Sequence, residues 1–431
     1  MTRRSAEKNL GTLAVSGLLV GPVLGSALVL LPPLAMARAG DGAIGAWGVT
    51  LVLMGVFAAL IGALALRFPG EGGLTEAVGA AFGPRAKALC AELMMAAGCF
   101  GPLAALGTGG AYLAPLLPGV LGDPFVASLL LLGLCLAVML RRVTFVGAVA
   151  FWASTLIALV VLCGGIYALI VFPRPDGGTA FVQSLTMGDP AQFGSLVLLL
   201  FWAIIGWEIV GNYTGEVDRP ERTIPRAVAG AFLAIVAVYV AALGALHFAH
   251  LEDRTSLASI LEPLFGALAG PLLGVLATLL CATTYIMFLG GIARLLRDRA
   301  AQGAAPRWLA RRNAAGAPAA ALAFYAAIHG VSFVLHRQGV LSLEGAVSAT
   351  NAFMILNALV SLLAGAVLFR NLWARGASLG LGVLFFGVFT FSPRWVLLAV
   401  ILLLLYTAVP PASPDPAKAP RGEEGGPAPS V

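Results

Sequence analysis

Long apolar runs, separated by short charged or Pro/Gly-rich breaks, recur along almost the whole chain. Most runs approach or exceed the roughly 20 residues that an α-helix needs to cross the hydrocarbon core of a membrane. The twelve runs span residues 12–37, 43–66, 86–113, 124–140, 143–172, 192–215, 226–248, 264–293, 317–335, 343–369, 376–391 and 393–409. The pattern predicts an all-α integral membrane protein of twelve transmembrane helices with short connections.

Composition supports this prediction and excludes other classes of protein. Of the 431 residues, 60% are hydrophobic and 11% charged, against roughly 25% charged in soluble domains. The net charge of +6 comes from lysines and arginines spread singly through short loops, so we do not expect nucleic-acid binding. The five cysteines all fall inside apolar runs without a CxxC pair. We therefore expect no metal site and no cofactor.

The distribution of basic residues predicts which ends of the helices face the cytoplasm. If every run spans the membrane, the loops on one side hold Arg38, Arg174, Arg254, Arg337 and Arg394. The other side holds the remaining 21 of the 26 basic residues, and such an excess is typical of the cytoplasmic side. This bias predicts a cytoplasmic N-terminus at residues 1–10 and a cytoplasmic tail at 410–431. The composition of the tail, rich in Pro, Ala, Gly and Glu, is typical of disorder.

Two of the apolar runs are interrupted in the middle. The first carries Gly21, Gly25 and Ser26, and the sixth carries Gly206 and the acidic Glu208 among apolar neighbours. Backbone groups freed at membrane depth are tolerated only where protein or a polar cavity satisfies them. A helix-packing face of small residues would explain the first run alone, but not the matching break in the sixth.

The spacing of the two breaks indicates an internal repeat. Breaks five spans apart are typical of an inverted repeat of five helices, with substrate bound between the paired broken helices. The predicted repeats cover residues 11–172 and 192–369. Residues 370–409 then form helices 11 and 12.

Three motifs together resemble the amino acid–polyamine–organocation (APC) superfamily of transporters. They are the Gly25–Ala27 turn followed by Leu31-Pro32, the stretch Phe201–Glu208, and the exit Glu216–Arg226. Within the superfamily, the chain is most similar to the bacterial exporters of methionine and branched-chain amino acids, almost up to the tail. The resemblance implies a multi-pass permease of the bacterial plasma (inner) membrane that works by alternating access. It implies methionine, leucine, isoleucine or valine as substrate.

The resemblance also implies a substrate site at the two breaks. Its candidate residues are Val23, Gly25, Ser26, Ala27, Phe201, Trp202, Ile205 and Glu208. Free amides at a half-helix N-terminus attract anions, so the Ser26 and Ala27 amides and the Ser26 hydroxyl are expected to hold the carboxylate. The carbonyls of Val23, Trp202 and Ile205 are expected to hold the ammonium. The superfamily usually has glycine where Ala27 stands, and Trp202 either caps the substrate or packs in the core.

Glu208 is the candidate proton-coupling residue. An ionised side chain at mid-helix costs about 2.5–3.5 kcal/mol on insertion scales, which makes an incidental carboxylate there unfavourable. The alternative is a structural carboxylate satisfied by Asn212 or by backbone N–H groups. The other acidic residue inside a span, Glu92, either lines an inner vestibule or reaches the interface.

Several questions stay open at the level of sequence. Proton coupling through Glu208, sodium coupling and uncoupled exchange are all compatible with the sequence, since Ser154, Thr155, Thr283 and Thr284 offer hydroxyls suited to sodium. No Asp, Lys or Arg lies deep in a span, which favours a neutral substrate, but its identity and the transport direction stay undetermined. A transporter of another small amine or metabolite and a membrane-embedded enzyme are the alternatives, although Glu92 and Glu208 lie at different depths. His247 and His250 have a spacing compatible with metal, but an interface position fits better. The chain works alone or as a homodimer in contact with lipid.

Overall fold

The computed structural model describes residues 10–69, 73–175 and 189–392, together with residues 394, 397, 398, 400–402 and 405. Its α-helices are α1 (Thr12–Ala39), α2 (Ala43–Arg67), α3 (Leu74–Phe82), α4 (Pro84–Leu113), α5 (Pro124–Met139), α6 (Val143–Val171), α7 (Pro190–Leu200), α8 (Pro220–Phe248), α9 (Ala258–Phe265), α10 (Ala269–Ala301), α11 (Ala319–Arg337), α12 (Leu343–Leu368) and α13 (Leu372–Phe389). Residues 1–9, the predicted tail 410–431 and most of the predicted run 393–409 lie outside the described residues.

The described part of the chain is helical, as the apolar runs predict. It contains nine helical stretches long and apolar enough to cross a membrane. The first of these, Thr12–Arg67, comprises both α1 and α2, which are separated by the turn Gly40–Gly42. The apolar helix α5 is shorter, at 16 residues. Among the described residues, β pairing is confined to two isolated bridges.

Proline and short polar side chains fix where several helices begin. A proline stands in the first turn of α4, α5, α7 and α8, where its missing N–H costs no intrahelical hydrogen bond. The Asp123 carboxylate caps α5 by accepting from the amides of Phe125 and Val126 at 2.9 and 3.2 Å. These starts determine which side chains face each other across the bundle.

The centre of the bundle is built around α1, α4 and α10. Helix α4 packs against α10 and α12, and α1 packs against α6, α8 and α10. Small residues allow the close approach: a Cβ added to Gly101 of α4 would lie 2.8 Å from the Cγ2 atom of Thr350 on α12. The close approach brings α4 and α12 to the helix breaks described below.

Two contacts define the ends of the bundle. At the end where α1 begins, called here the Leu10 end, the Leu10 amide donates to the Glu216 carbonyl at 3.1 Å and the Asp218 amide donates to the Leu10 carbonyl at 3.0 Å. At the other end, called here the Asp41 end, the turn after α1 places Asp41 beside the segments that follow α6 and α8, in contact with Arg254 and 3.4 Å from Arg174. At both ends of the bundle, therefore, segments far apart in the sequence are held together by polar contacts.

Candidate functional site

Helix α1 is interrupted at Gly25, within the predicted break. Its backbone angles there, φ 4° and ψ −135°, are not helical, although both flanking stretches are. The Thr284 hydroxyl of α10 lies so close that a Cβ on Gly25 would overlap it. Only glycine leaves room for this approach.

Thr284 connects the two halves of α1. The Ser26 amide donates to its Oγ1 at 3.0 Å, and Oγ1 lies 3.3 Å from the Gly21 carbonyl and 3.0 Å from the Leu280 carbonyl. The Ser26 amide, expected to hold a substrate carboxylate, is therefore bonded to a protein hydroxyl in this conformation. The neighbouring Ala27 is buried.

The second interruption lies where the sixth run was expected to break. Helix α7 ends at Leu200, and the chain continues as short 3₁₀ segments, Phe201–Ala203 and Trp207–Glu216. Between them Gly206 has φ 117°, in the region that favours glycine. The α-helix of the run therefore covers only its first half.

The two interruptions meet through Trp202 and Ser26. The indole Nε1 of Trp202 donates to the Ser26 hydroxyl at 3.3 Å, and both side chains are buried. A cavity of about 10 Å³ lies beside this contact, which is roughly the space of one water molecule. Its lining residues are Gly101, Pro102, Trp202, Ile205, Thr284, Phe288 and Thr350, none of them charged. An amino acid fits only if side chains around the cavity move.

The expected site residues are distributed around this contact rather than all lining the cavity. Trp202 and Ile205 line it. The Val23 carbonyl accepts from the Tyr239 hydroxyl at 3.4 Å. The ring of Phe201 lies against Phe385 of α13, with centroids 4.7 Å apart, and does not line the cavity.

Sequence reasoning missed the contribution of α4 and α12 to the cavity. Gly101 and Pro102 lie next to each other in the middle of the third run, and α4 continues through both. A proline next to a glycine in mid-span is a signal that could have marked this part of α4, because proline removes one backbone hydrogen bond of the helix. Thr350 and Phe288 carry no such indication, because isolated threonines and phenylalanines are common in apolar helices.

Glu208 lies two residues beyond Gly206 and is fully buried. Its Oε2 accepts a 2.9 Å hydrogen bond from the Gly206 amide, which stabilises the second break. Among the described residues its other oxygen, Oε1, has no hydrogen-bond partner. One carboxylate oxygen thus has a structural contact, and the other is available to bind a proton.

Two ion pairs link helical segments near the Leu10 end. Arg294 of α10 pairs with Glu216 at 3.2 Å and lies 4.6 Å from the ring centroid of Tyr213. Glu92 of α4 pairs with Arg299 at 2.8 Å. Glu92 therefore connects two helices near this end.

At the Asp41 end, the two histidines predicted near the interface have different positions. The Nδ1 atom of His247 is fully buried, 3.1 Å from the Asp41 carboxylate, whereas His250 is exposed. Over the described ranges, no group of three or more His, Cys, Asp or Glu residues could hold a metal ion.

Comparison with known proteins identifies the family. The profile of the amino acid permease family matches residues 10–420. The chain belongs to this family. The predicted resemblance to amino acid–polyamine–organocation (APC) transporters is thereby confirmed.

The relatives of this permease are transporters of amino acids. It is 27% identical to the L-methionine/branched-chain amino acid exporter YjeH of Escherichia coli (strain K12), over 87% of this chain and 89% of that protein. It is 26% identical to the serine/threonine exchanger SteT of Bacillus subtilis (strain 168), over 62% of this chain and 63% of the exchanger. It is 30% identical to the cadaverine/lysine antiporter of Escherichia coli (strain K12), over 55% of this chain and 53% of the antiporter.

Proposed function

We propose that this permease is a secondary transporter of neutral, apolar amino acids such as methionine, leucine, isoleucine or valine. The observation that carries the proposal is the meeting of two helix breaks at an uncharged cavity, where Trp202 reaches Ser26. Broken helices offer amides to a carboxylate and carbonyls to an ammonium. The lining of Ile205 and Phe288 favours an apolar side chain. The substrates in the name of the Escherichia coli exporter support the same class.

In this proposal the α1 break holds the carboxylate of the substrate. Gly25 leaves the space, and the Ser26 and Ala27 amides and the Ser26 hydroxyl are the donors. The Ser26 amide becomes available only when the Thr284 hydroxyl moves away from it, because the two are bonded. Substrate binding therefore alters the contact between α1 and α10, which is a step that alternating access requires.

The second break supplies the partners of the ammonium. The carbonyls of Trp202 and Ile205, with that of Val23, are the acceptors, and the Trp202 ring caps the substrate. Phe201 does not contact the substrate in this proposal but supports the position of Trp202 by packing against Phe385.

We propose twelve transmembrane helices. The first ten form inverted repeats over 11–172 and 192–369, and the eleventh and twelfth transmembrane helices follow over 370–409. The paired interruptions, five spans apart, support the repeat. The excess of basic residues supports an inner-membrane topology with 1–10 and 410–431 cytoplasmic, so that the Leu10 end faces the cytoplasm. Transport then needs neither a cofactor nor enzymatic chemistry, and the transporter names of the relatives support this inference.

Glu208 is the proposed proton-coupling residue, supported by its burial and by its oxygen Oε1. Sodium is the alternative coupling ion. The Thr284 hydroxyl, one of its candidate ligands, bonds the Ser26 amide in this conformation. Replacing sodium by choline in the transport assay separates the two.

Counterflow in proteoliposomes tests the function. Vesicles are preloaded with unlabelled methionine or leucine, and uptake of the labelled amino acid is followed at two external pH values. We expect saturable counterflow that depends on pH and not on sodium. Absence of counterflow with every neutral amino acid would refute the substrate class and redirect the assay to amines and other small metabolites.

A further inference from the structure

A second and larger cavity lies at the Asp41 end, away from the helix breaks. Its volume is about 270 Å³, against about 10 Å³ for the cavity at the breaks. The residues that determine its character are Ala111, Asp123, Phe125, Phe333, Arg337 and Leu343. Ser128 and His336 also line it, and the His336 Nδ1 atom lies 2.7 Å from the Leu341 carbonyl. The rest of the wall is apolar, and the opposite charges of Asp123 and Arg337 lie in it side by side.

Two helices connect this cavity to the central one. Its lining includes Gly107 of α4 and Leu343 of α12, whereas Gly101 and Thr350 of the same helices line the central cavity. Six or seven residues of helix correspond to about 10 Å. The salt bridge of 3.3 Å from Arg38, at the end of α1, to Glu344 places the start of α12 at the Asp41 end.

The charged pair in the wall consists of Arg337 and Asp123. The Nη1 atom of Arg337 lies 3.0 and 3.2 Å from the two Asp123 carboxylate oxygens, and the guanidinium lies 4.9 Å from the Phe125 ring centroid. The backbone amide of Val126 contributes most to lowering the pKa of Asp123, so the carboxylate is ionised at neutral pH. Both side chains are solvent-accessible, at 56% for Arg337 and 37% for Asp123. Exposed pairs of this kind stabilise a protein little, so each group can exchange its partner at low cost.

We propose that this cavity binds a second amino acid molecule, a zwitterion with an apolar side chain. Its carboxylate pairs with Arg337, its ammonium pairs with Asp123, and its side chain lies among Phe125, Phe333 and Leu343. The amino acid class rests on the proposed function.

Charge and volume select this occupant. One acidic and one basic group match a molecule with one ammonium and one carboxylate, whereas a ligand with a net charge would leave Asp123 or Arg337 with a partner of like charge or none. A volume near 270 Å³ is at the low end of small-molecule sites. It suits one amino acid and not the two acyl chains of a phospholipid.

Equilibrium binding of labelled methionine and leucine to the purified full chain in nanodiscs tests the proposal. We expect two molecules bound per wild-type chain. Ala111→Phe fills the cavity from an exposed position on α4 and should leave one. Arg337→Gln should weaken one of the two sites about tenfold, as expected when a hydrogen bond to a charged group is lost. Arg38→Gln removes an exposed pair at the same end outside the cavity lining and should leave both sites intact.

The outcomes separate failure of the second site from failure of the proposed function. One contrary result is a wild type that binds a single amino acid, which is lost in Trp202→Ala but retained in Ala111→Phe and Arg337→Gln. That result would overturn the second site and leave the central one. No binding of any neutral amino acid would overturn both. A phospholipid that copurifies with the wild type and is lost in Ala111→Phe would make the occupant a lipid and overturn the proposal.

Discussion

The amide of Ser26 donates a 3.0 Å hydrogen bond to the hydroxyl of Thr284 and so connects the break in α1 to α10. The same hydroxyl lies within hydrogen-bond distance of the carbonyls of Gly21 and Leu280. One side chain thus serves a freed amide on one side of the break and a carbonyl on the other. An interrupted helix is tolerated at membrane depth only where neighbouring protein groups form hydrogen bonds with the freed backbone amides and carbonyls.

We expect Thr284→Val to destabilise the permease and slow counterflow. The valine keeps the volume but leaves the buried Ser26 amide without an acceptor, at a cost of about 1–3 kcal/mol. Thermal unfolding in detergent and methionine counterflow measure the two effects. Thr284→Ser, which keeps the hydroxyl, is the control and should retain most of both. Wild-type stability in Thr284→Val would show that this hydrogen bond does not support the break.

Gly25→Ala tests the space at the same break. The added methyl would overlap the Thr284 hydroxyl, and overpacking of this kind typically costs about 1–3 kcal/mol. We expect a strong loss of counterflow together with a lower unfolding temperature. In Gly230→Ala of α8, the new methyl would meet its nearest atom, the Ser16 hydroxyl, at 4.0 Å, so this variant should behave like the wild type. Equal effects of the two substitutions would contradict a special requirement at Gly25.

Trp202→Phe separates the hydrogen bond of Trp202 from its bulk. The phenyl ring still covers the cavity but cannot donate to the Ser26 hydroxyl, so we expect the KM for exchange to rise about five- to tenfold, equivalent to about 1 kcal/mol. Trp207→Phe is a matched control, because the buried Trp207 indole N–H has no hydrogen-bond partner among the described residues. A KM that stays unchanged in Trp202→Phe would show that exchange does not need this hydrogen bond and would leave the ring of Trp202 as its only contribution.

The sequence predicted the breaks because their causes are local. Gly25 and Gly206 weaken a helix through their own low helix propensity, independently of tertiary contacts. The charge of Glu208 is conspicuous in an apolar run. The sequence could not predict that the Ser26 amide would be bonded to Thr284. Residues 258 positions apart meet there, and only the packing of α1 against α10 brings them together.

The same reasoning explains why Phe201 does not line the cavity. Its neighbour Trp202 lines the cavity, but a 3₁₀ turn points successive side chains in different directions, and Phe201 meets Phe385 instead. The turn follows from where α7 ends, at Leu200.

Reversing the ion pair between Glu216 and Arg294 tests the closure of the Leu10 end. Both side chains are largely buried, at 12% and 14% exposure, so Glu216→Gln should cost about 2 kcal/mol, between the values for surface and buried pairs. The double reversal Glu216→Arg with Arg294→Glu should recover part of this lost stability, as measured by thermal unfolding. Arg38→Gln, which breaks the exposed pair with Glu344, should change stability by less than about 1 kcal/mol. Equal losses in Glu216→Gln and Arg38→Gln would argue against a role for burial.

Glu208→Gln tests proton coupling while keeping the contact that stabilises the second break. The amide oxygen of glutamine can still accept from the Gly206 amide, as Glu208 Oε2 does at 2.9 Å, but the side chain no longer binds and releases a proton. We therefore expect exchange to persist while its rate loses its dependence on external pH. Glu92→Gln removes the other acidic group inside a span, which pairs with Arg299 at 2.8 Å, and should keep the pH dependence. If Glu208→Gln retained the wild-type pH profile, Glu208 would be structural and the coupling ion would have to bind elsewhere.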